Sequence, residues 1–209
     1  ADPKLSIVEE DADAAALLDS FNVKVEEMRS VKVGNVTENL CLSRIPGDKR
    51  SKICAPEDTA GKGSDISMLV AHAFREMAKT SDIAIQNGGG VRTDIAKGDL
   101  TMSDAYKLLP FANTLVEMDM TGAEIKAVLE EALDYALQPD GSTGAYPYAA
   151  GLRWHVDAGK PAGERLSKME FKGRNESSWS ALDMNKSYRL VTNNYIAAGR
   201  DGYLTFKTV

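Results

Sequence analysis

DIAIQNGGGVRTDIAKGDLTMSDAYKLLPFANTLVEMDMTGAEIKAVLEEAL, residues 82–133, holds two strand signals and two helix signals in one unbroken run. Residues 82–86 read as a short apolar strand that runs into Asn87 and three glycines. Ser103 is placed to cap a short helix reaching Leu109, where Pro110 stops it. Val116, Met118 and Met120 then alternate with Glu117 and Asp119, the period of a strand with one buried face. Thr121-Gly-Ala-Glu124 is a capping box, and Ile125, Val128, Leu129, Ala132 and Leu133 continue the helix it opens.

On the N-terminal side, Ile66, Leu69, Val70, Ala73, Phe74 and Met77 form the strongest helical stripe in the chain. Residues 43–63 are rich in Pro, Gly and charge and read as a long irregular segment, a kind of loop that is often functional. Residues 31–42 look like a strand with a turn, and residues 9–28 like a helix. On the C-terminal side, after Pro139-Asp-Gly, the period changes to two. Leu152, Trp154 and Val156 alternate with polar partners, and RLSKMEFKG and SYRLVTN follow suit. Helices and strands alternate without a linker, so the expectation is one α+β domain over residues 1–209.

Composition narrows the chemistry. With 43% hydrophobic and 27% charged residues in 209, the chain is an ordinary globular protein. Lys plus Arg number 25 against 31 Asp plus Glu, a formal charge of −6, which argues against coating a nucleic acid. A local basic pocket for one phosphate is still compatible with that balance. No apolar run approaches the ~20 residues of a bilayer span, and the N-terminus lacks a basic-then-apolar leader, so the chain is read as cytoplasmic or as having lost its start. The two histidines, His72 and His155, stand far apart without metal-ligand spacing and read as structural. HExxH and GxSxG are absent. Cys41 and Cys54 flank a Pro-Gly turn; a disulfide closing that loop is favoured over two buried thiols. It would contribute about 3 kcal/mol in the chain-entropy model and imply an oxidising compartment.

Three stretches invite ligand chemistry. IQNGGGVR, 85–92, lacks the Walker GK[ST] ending, and AGKGS, 60–64, also fails that motif. The triple glycine is equally a tight turn or a ligand loop in which positive φ lets the backbone approach a ligand, with Arg92 adding charge. In NNYIAAGRDGY, 193–203, Asp201 is able to accept two hydrogen bonds from a ribose diol; the alternative is an Asp-Gly turn bonding its own backbone. In LLPFANT, 108–114, Phe111 reads locally as core. Asn35-Val-Thr37 and Asn175-Glu-Ser177 fit the glycosylation pattern, which matters only in a eukaryotic secretory pathway.

Taken together, residues 85–125, STGAYPYAAGLRW (142–154) and YRLVTNNYIAAGRDGY (188–203) resemble the C-terminal domain of the 5'-nucleotidase family. The resemblance runs over roughly residues 22–206, leaving 1–21 as a helical lead-in from an upstream domain. It implies a mixed β-sheet with packed helices and a substrate-specificity role. It also implies a partner in cis: an N-terminal metallophosphoesterase domain with two divalent metals, to which domain rotation delivers the nucleotide. The DxH, GNH[ED] and GHxH signatures of that domain are absent here. This chain alone is therefore expected to hold no cofactor and to be inactive, in a periplasmic or extracellular parent.

Residue by residue, the resemblance places the base between Phe111 and Tyr195, where relatives often carry Phe at the second position. Stacking of this kind is worth about 1–3 kcal/mol per base. Asn113 is implied to contact the base, Gly144 to line the pocket, and Asp201 to hold the ribose hydroxyls. Asn87 and Arg92 are implied to reach the nucleotide from the glycine loop, and Arg50 to hold phosphate oxygens. Two positions depart from the pattern: Cys54 stands where some relatives have a second Arg, so that the phosphate grip is either weaker or supplied by Lys52, and Arg200 replaces a common Gly, where contact with a phosphate, filling of the pocket and pairing with Asp201 are the alternatives. The resemblance leaves open 5'-nucleotides, nucleotide sugars or 2',3'-cyclic nucleotides for the parent. A stand-alone nucleoside-binding module and a secreted adhesion protein are the competing classes.

Overall fold

The computed structural model describes residues 10–209. Its centre is a four-stranded mixed sheet of order β4-β9-β2-β5, formed by β2 (Ile83–Asn87), β4 (Leu115–Thr121), β5 (Pro147–Ala150) and β9 (Ser187–Asn193). β2 and β9 run parallel, while β4 and β5 flank them antiparallel. Side-chain alternation explains why every residue of β2 is buried. Ile83 and Ile85 point into the main core with Leu190, and Ala84 points the other way with Val191. Helix α5 (Gly122–Leu137) covers the first face through Ile125, Val128, Leu129, Ala132 and Leu133. Helix α3 (Asp65–Met77) covers the second, its Ala71 packing on Ala84 and Ala150. β5 is an edge strand, which is what lets Pro147 begin it.

A three-stranded sheet of β6 (Leu152–Val156), β7 (Leu166–Phe171) and the short β8 (Ser180–Ala181) adds Leu152, Leu166 and Phe171 to the main core. Glu130 of α5, 5% exposed, accepts from the backbone amides of Arg165 and Leu166 at 3.1 and 2.7 Å, so a buried carboxyl group ties helix to sheet. β1 (Lys32–Val36) pairs with β3 (Gly98–Thr101) in a small ribbon.

The strand with a turn expected over 31–42 is found as Lys32–Val36, a bend after it and a pairing of Leu40 with Ile95. Other readings need correction. The irregular stretch 43–63 contains a short helix, α2 (Glu57–Ala60). Helix α4 (Met102–Leu108) is capped by Thr101, not Ser103, because Thr101 and Asp104 complete a reciprocal capping box. Helix α1 (Ala12–Arg29) forms as expected and runs through position 21, yet none of its residues is buried. The start of the expected 9–28 helix and residues 1–9 of the lead-in lie outside the described residues.

Candidate functional site

The parallel pair β2 and β9 ends at one edge of the sheet, in Asn87 and Asn193. Crevices at the carboxyl ends of parallel strands are recurrent ligand sites, because chains must part there into loops. Beyond Asn87 the chain makes a 3-10 turn over Gly88–Gly90. None of these three glycines has positive φ, contrary to the reason expected for them. What they supply is space. A Cβ on Gly90 would sit 2.2 Å from Gln86 Nε2, and one on Gly89 would sit 3.0 Å from Gly144 Cα. Glycine is needed here for close approach, and that approach brings the turn Thr143–Ala145 against the triple glycine.

Beyond Asn193 the chain makes helix α6 (Asn194–Ala197), capped by the Asn193 side chain, whose Oδ1 accepts from the Tyr195 and Ile196 amides. This cap sets Tyr195 at the crevice edge. Gly199 at φ +74 then turns the chain, and Asp201 follows in the left-handed region at φ +53. Asp tolerates that region better than most residues. The loop before β4 is fastened to the same corner, since Asn194 Oδ1 accepts from the Thr114 amide and Asn194 N donates to Thr114 O, both at 2.9 Å. Phe111 and Asn113 are thereby brought opposite Tyr195, with Ala112 between them at φ +50.

These loops enclose a crevice of about 420 Å³. Asn87, Arg92, Phe111, Asn113, Gly144, Tyr195 and Asp201 all line it, so it gathers seven of the eight ligand positions implied by the resemblance. Phe111 and Tyr195 are 54% and 43% exposed, so Phe111 is not core as its local sequence suggested. Arg92 lies 5.6 Å from the Phe111 ring centroid and donates to Gly89 O at 3.2 Å, which joins the glycine turn to the aromatic loop. Asp201 accepts from Asn87 Nδ2 and from the Tyr195 hydroxyl, each at 2.9 Å. Burial first, then the bond to Asp201 and its charge, raise the Tyr195 pKa. That phenol therefore keeps its proton at neutral pH.

Arg50 is the eighth position, and it stands outside the lining residues, 3.8 Å from Asp48. Arg44 lines the crevice instead. Burial, and then the charges of Arg50 and Arg92, lower its pKa, against the opposing charges of Asp48 and Asp201. Sequence reading passed over Arg44 because nothing in SRIPGDKR distinguishes one arginine from another. Its placement comes from tertiary contacts. Asp48 accepts from the amides of Arg44, Ile45 and Arg50. Asp94 accepts from Leu42 N and Lys52 N, holding the two ends of the loop together. Tyr148 donates its hydroxyl to Ser43 O and Arg44 O, and the expected Cys41–Cys54 disulfide is formed. Gly89, Gly90 and Ser142 complete the lining.

A larger cavity, about 520 Å³, lies beside Trp154 and His155 and contains none of the eight positions. Among the described residues, no group of three or more His, Cys, Asp or Glu is placed to hold a metal ion, so the residues present do not fit a dimetal centre. No described helix is long and apolar enough to cross a membrane.

Fold and crevice together define an α+β domain with two aromatic rings, one carboxylate and a guanidinium pair lining one crevice. The chain belongs to the family of the 5'-nucleotidase C-terminal domain, whose model matches residues 32–208, and is the substrate-binding C-terminal domain of such proteins. It is 38% identical over 203 residues to the NAD 5'-nucleotidase of Haemophilus influenzae, covering 97% of this chain and 33% of that protein. The solved structure of the Haemophilus influenzae NAD nucleotidase superposes with a TM-score of 0.77 at 36% identity, over 99% of this chain and 36% of that one. A 5'-nucleotidase precursor from Thermus thermophilus gives 0.75 at 31% identity, over 97% and 37%. The chain thus spans about a third of the length of these relatives.

Proposed function

We propose that this domain is the nucleoside clamp of a nucleotide phosphohydrolase. The base stacks between Phe111 and Tyr195, Asn113 meets its edge, and Asp201 accepts from the ribose hydroxyls. Arg44 and Arg92 face the phosphate, with Arg50 adding to the field from outside the crevice. The observation that carries this reading is the meeting of two half-exposed aromatic rings with a carboxylate and two guanidinium groups in one crevice. A globular core has no physical use for such a set, since exposed rings lose the burial that normally stabilises them. Hydrolysis itself falls to a metallophosphoesterase domain in cis with two divalent metals. That the chain covers only a third of its relatives supports this division. Residues 1–21 then serve as the lead-in from that domain, and a disulfide-bonded domain suits a periplasmic or extracellular parent.

Calorimetric titration with adenosine and AMP in EDTA tests the clamp. Saturable binding of both is expected, tighter for AMP, and greatly weakened in Tyr195→Ala and Asp201→Ala without a change in melting. Absence of binding at millimolar ligand overturns the reading.

A further inference from the structure

The Asp201 carboxylate is gripped from two sides before any ligand arrives. Oδ2 accepts from Asn87 Nδ2 and Oδ1 from the Tyr195 hydroxyl. The Asn87 amide is itself fixed from behind: it is 3% exposed, and its Oδ1 accepts from the buried Asn193 Nδ2, which also donates to Gln86 Oε1. With its acceptor end occupied, Asn87 presents its donor end to Asp201. An ionised carboxylate offers about four lone-pair sites. The two protein donors take one on each oxygen and leave one on each, the pattern a vicinal diol fills with its two hydroxyls. The same Tyr195 side chain turns its ring to the crevice, so one residue touches both the expected base position and the carboxylate.

We infer that the Tyr195 hydroxyl is a specificity-determining group, which locks Asp201 in the orientation that accepts a cis-diol and so selects ribonucleosides over 2'-deoxynucleosides. The inference rests on the nucleoside-clamp reading. Without the hydroxyl the Asp201 carboxylate is held on one oxygen only and is free to turn about its own axis. A diol that needs both oxygens at once loses most from that freedom. A lone 3'-hydroxyl, which needs one, loses little.

The test is calorimetric titration of the whole chain and of Tyr195→Phe with adenosine and 2'-deoxyadenosine. Phe keeps the stacking ring and removes only the hydroxyl, and melting of the variant should match the parent. The expected result is a preference for adenosine in the parent. In Tyr195→Phe, adenosine affinity should fall about tenfold, the scale of a hydrogen bond to a charged group, while 2'-deoxyadenosine affinity changes little. Binding of both nucleosides with the same ratio in parent and variant overturns the inference and leaves the clamp standing, as does equal affinity for the two in the parent. Failure of the parent to bind either nucleoside removes the clamp and the inference with it.

Discussion

The two sides of the crevice are built in opposite ways. Asn87 ends one central strand, Tyr195 follows the end of another, and Asp201 is bonded to both; their positions follow from a buried amide network and from glycines that leave no room for a Cβ. Arg44 sits in a segment, 41–54, without helix or strand, held by a disulfide, two aspartates and one tyrosine hydroxyl. On the first side the buried sheet ends themselves hold the site. On the second, crosslinks do what a sheet cannot. The carboxylate side should therefore fail only with the core, and the cationic side should loosen while the core survives.

Replacing both cysteines, Cys41→Ala with Cys54→Ala, is the strongest way to break that contrast. Loss of the closed loop should lower stability by about 3 kcal/mol, read by urea unfolding. In the folded protein the advantage of AMP over adenosine should shrink while adenosine affinity holds. An equal loss for both ligands would mean that the two sides are not separable.

Gly90→Ala attacks the other side. Its Cβ meets the Gln86 amide at 2.2 Å and Asn87 Oδ1 at 3.0 Å, so a cost of about 2 kcal/mol is expected from overpacking. Here adenosine and AMP should weaken together, because the network that aims Asn87 at Asp201 is displaced. Loss of AMP affinity alone would place the glycine turn with the phosphate rather than the nucleoside.

Arg44→Gln against Arg50→Gln sharpens the comparison at single residues. Arg44 lines the crevice and Arg50 does not. Arg44→Gln should reduce AMP affinity by about tenfold, the scale of a charge-assisted hydrogen bond, and spare adenosine. Arg50→Gln should have a smaller effect that fades with added salt, as expected of a solvent-exposed charge. The reverse order would return the phosphate contact to Arg50.

The smallest effect is expected at Ala112→Gly. Ala112 sits at φ +50 between Phe111 and Asn113, a region costing a residue with a Cβ about 1–2 kcal/mol. Glycine relieves this but gains about 0.4–1 kcal/mol of unfolded-chain freedom. A net stabilisation of about 0.5 kcal/mol, read as a small rise in Tm, is the expected balance. Destabilisation would show that the left-handed turn is not strained in solution.

Much of this was legible in residue order. The capping box at Thr121 and the alternation around Met118 are local rules, satisfied within a few residues, and they appear where the sequence places them; helix α3 also forms, but Leu69, Ala73 and Met77 of its expected stripe are exposed, and Ile66, Ser67, Val70 and Ala71 make the buried face. The edge strand β5 and the short β3 were not read from sequence, since four-residue strands carry too little period to detect and exist only through their partners. Ser103 carries a hydroxyl as Thr101 does, which makes it look like a cap, but only Thr101 has the acidic partner three residues on.

Sequence alone determined helices α1, α3, α4 and α5, most strands and, through motif order, seven of the residues that meet in the crevice, and it favoured the loop disulfide. Those features depend on neighbours in the chain or on a pattern long enough to be specific. The tertiary structure alone decided that Arg44 rather than Arg50 lines the crevice, that the glycines serve space rather than φ, and that the Tyr195 hydroxyl holds Asp201. Each of these turns on a distance between segments far apart in the chain or on a side-chain direction. A one-residue change of direction is invisible to composition and period, yet it moves a charge across a whole crevice.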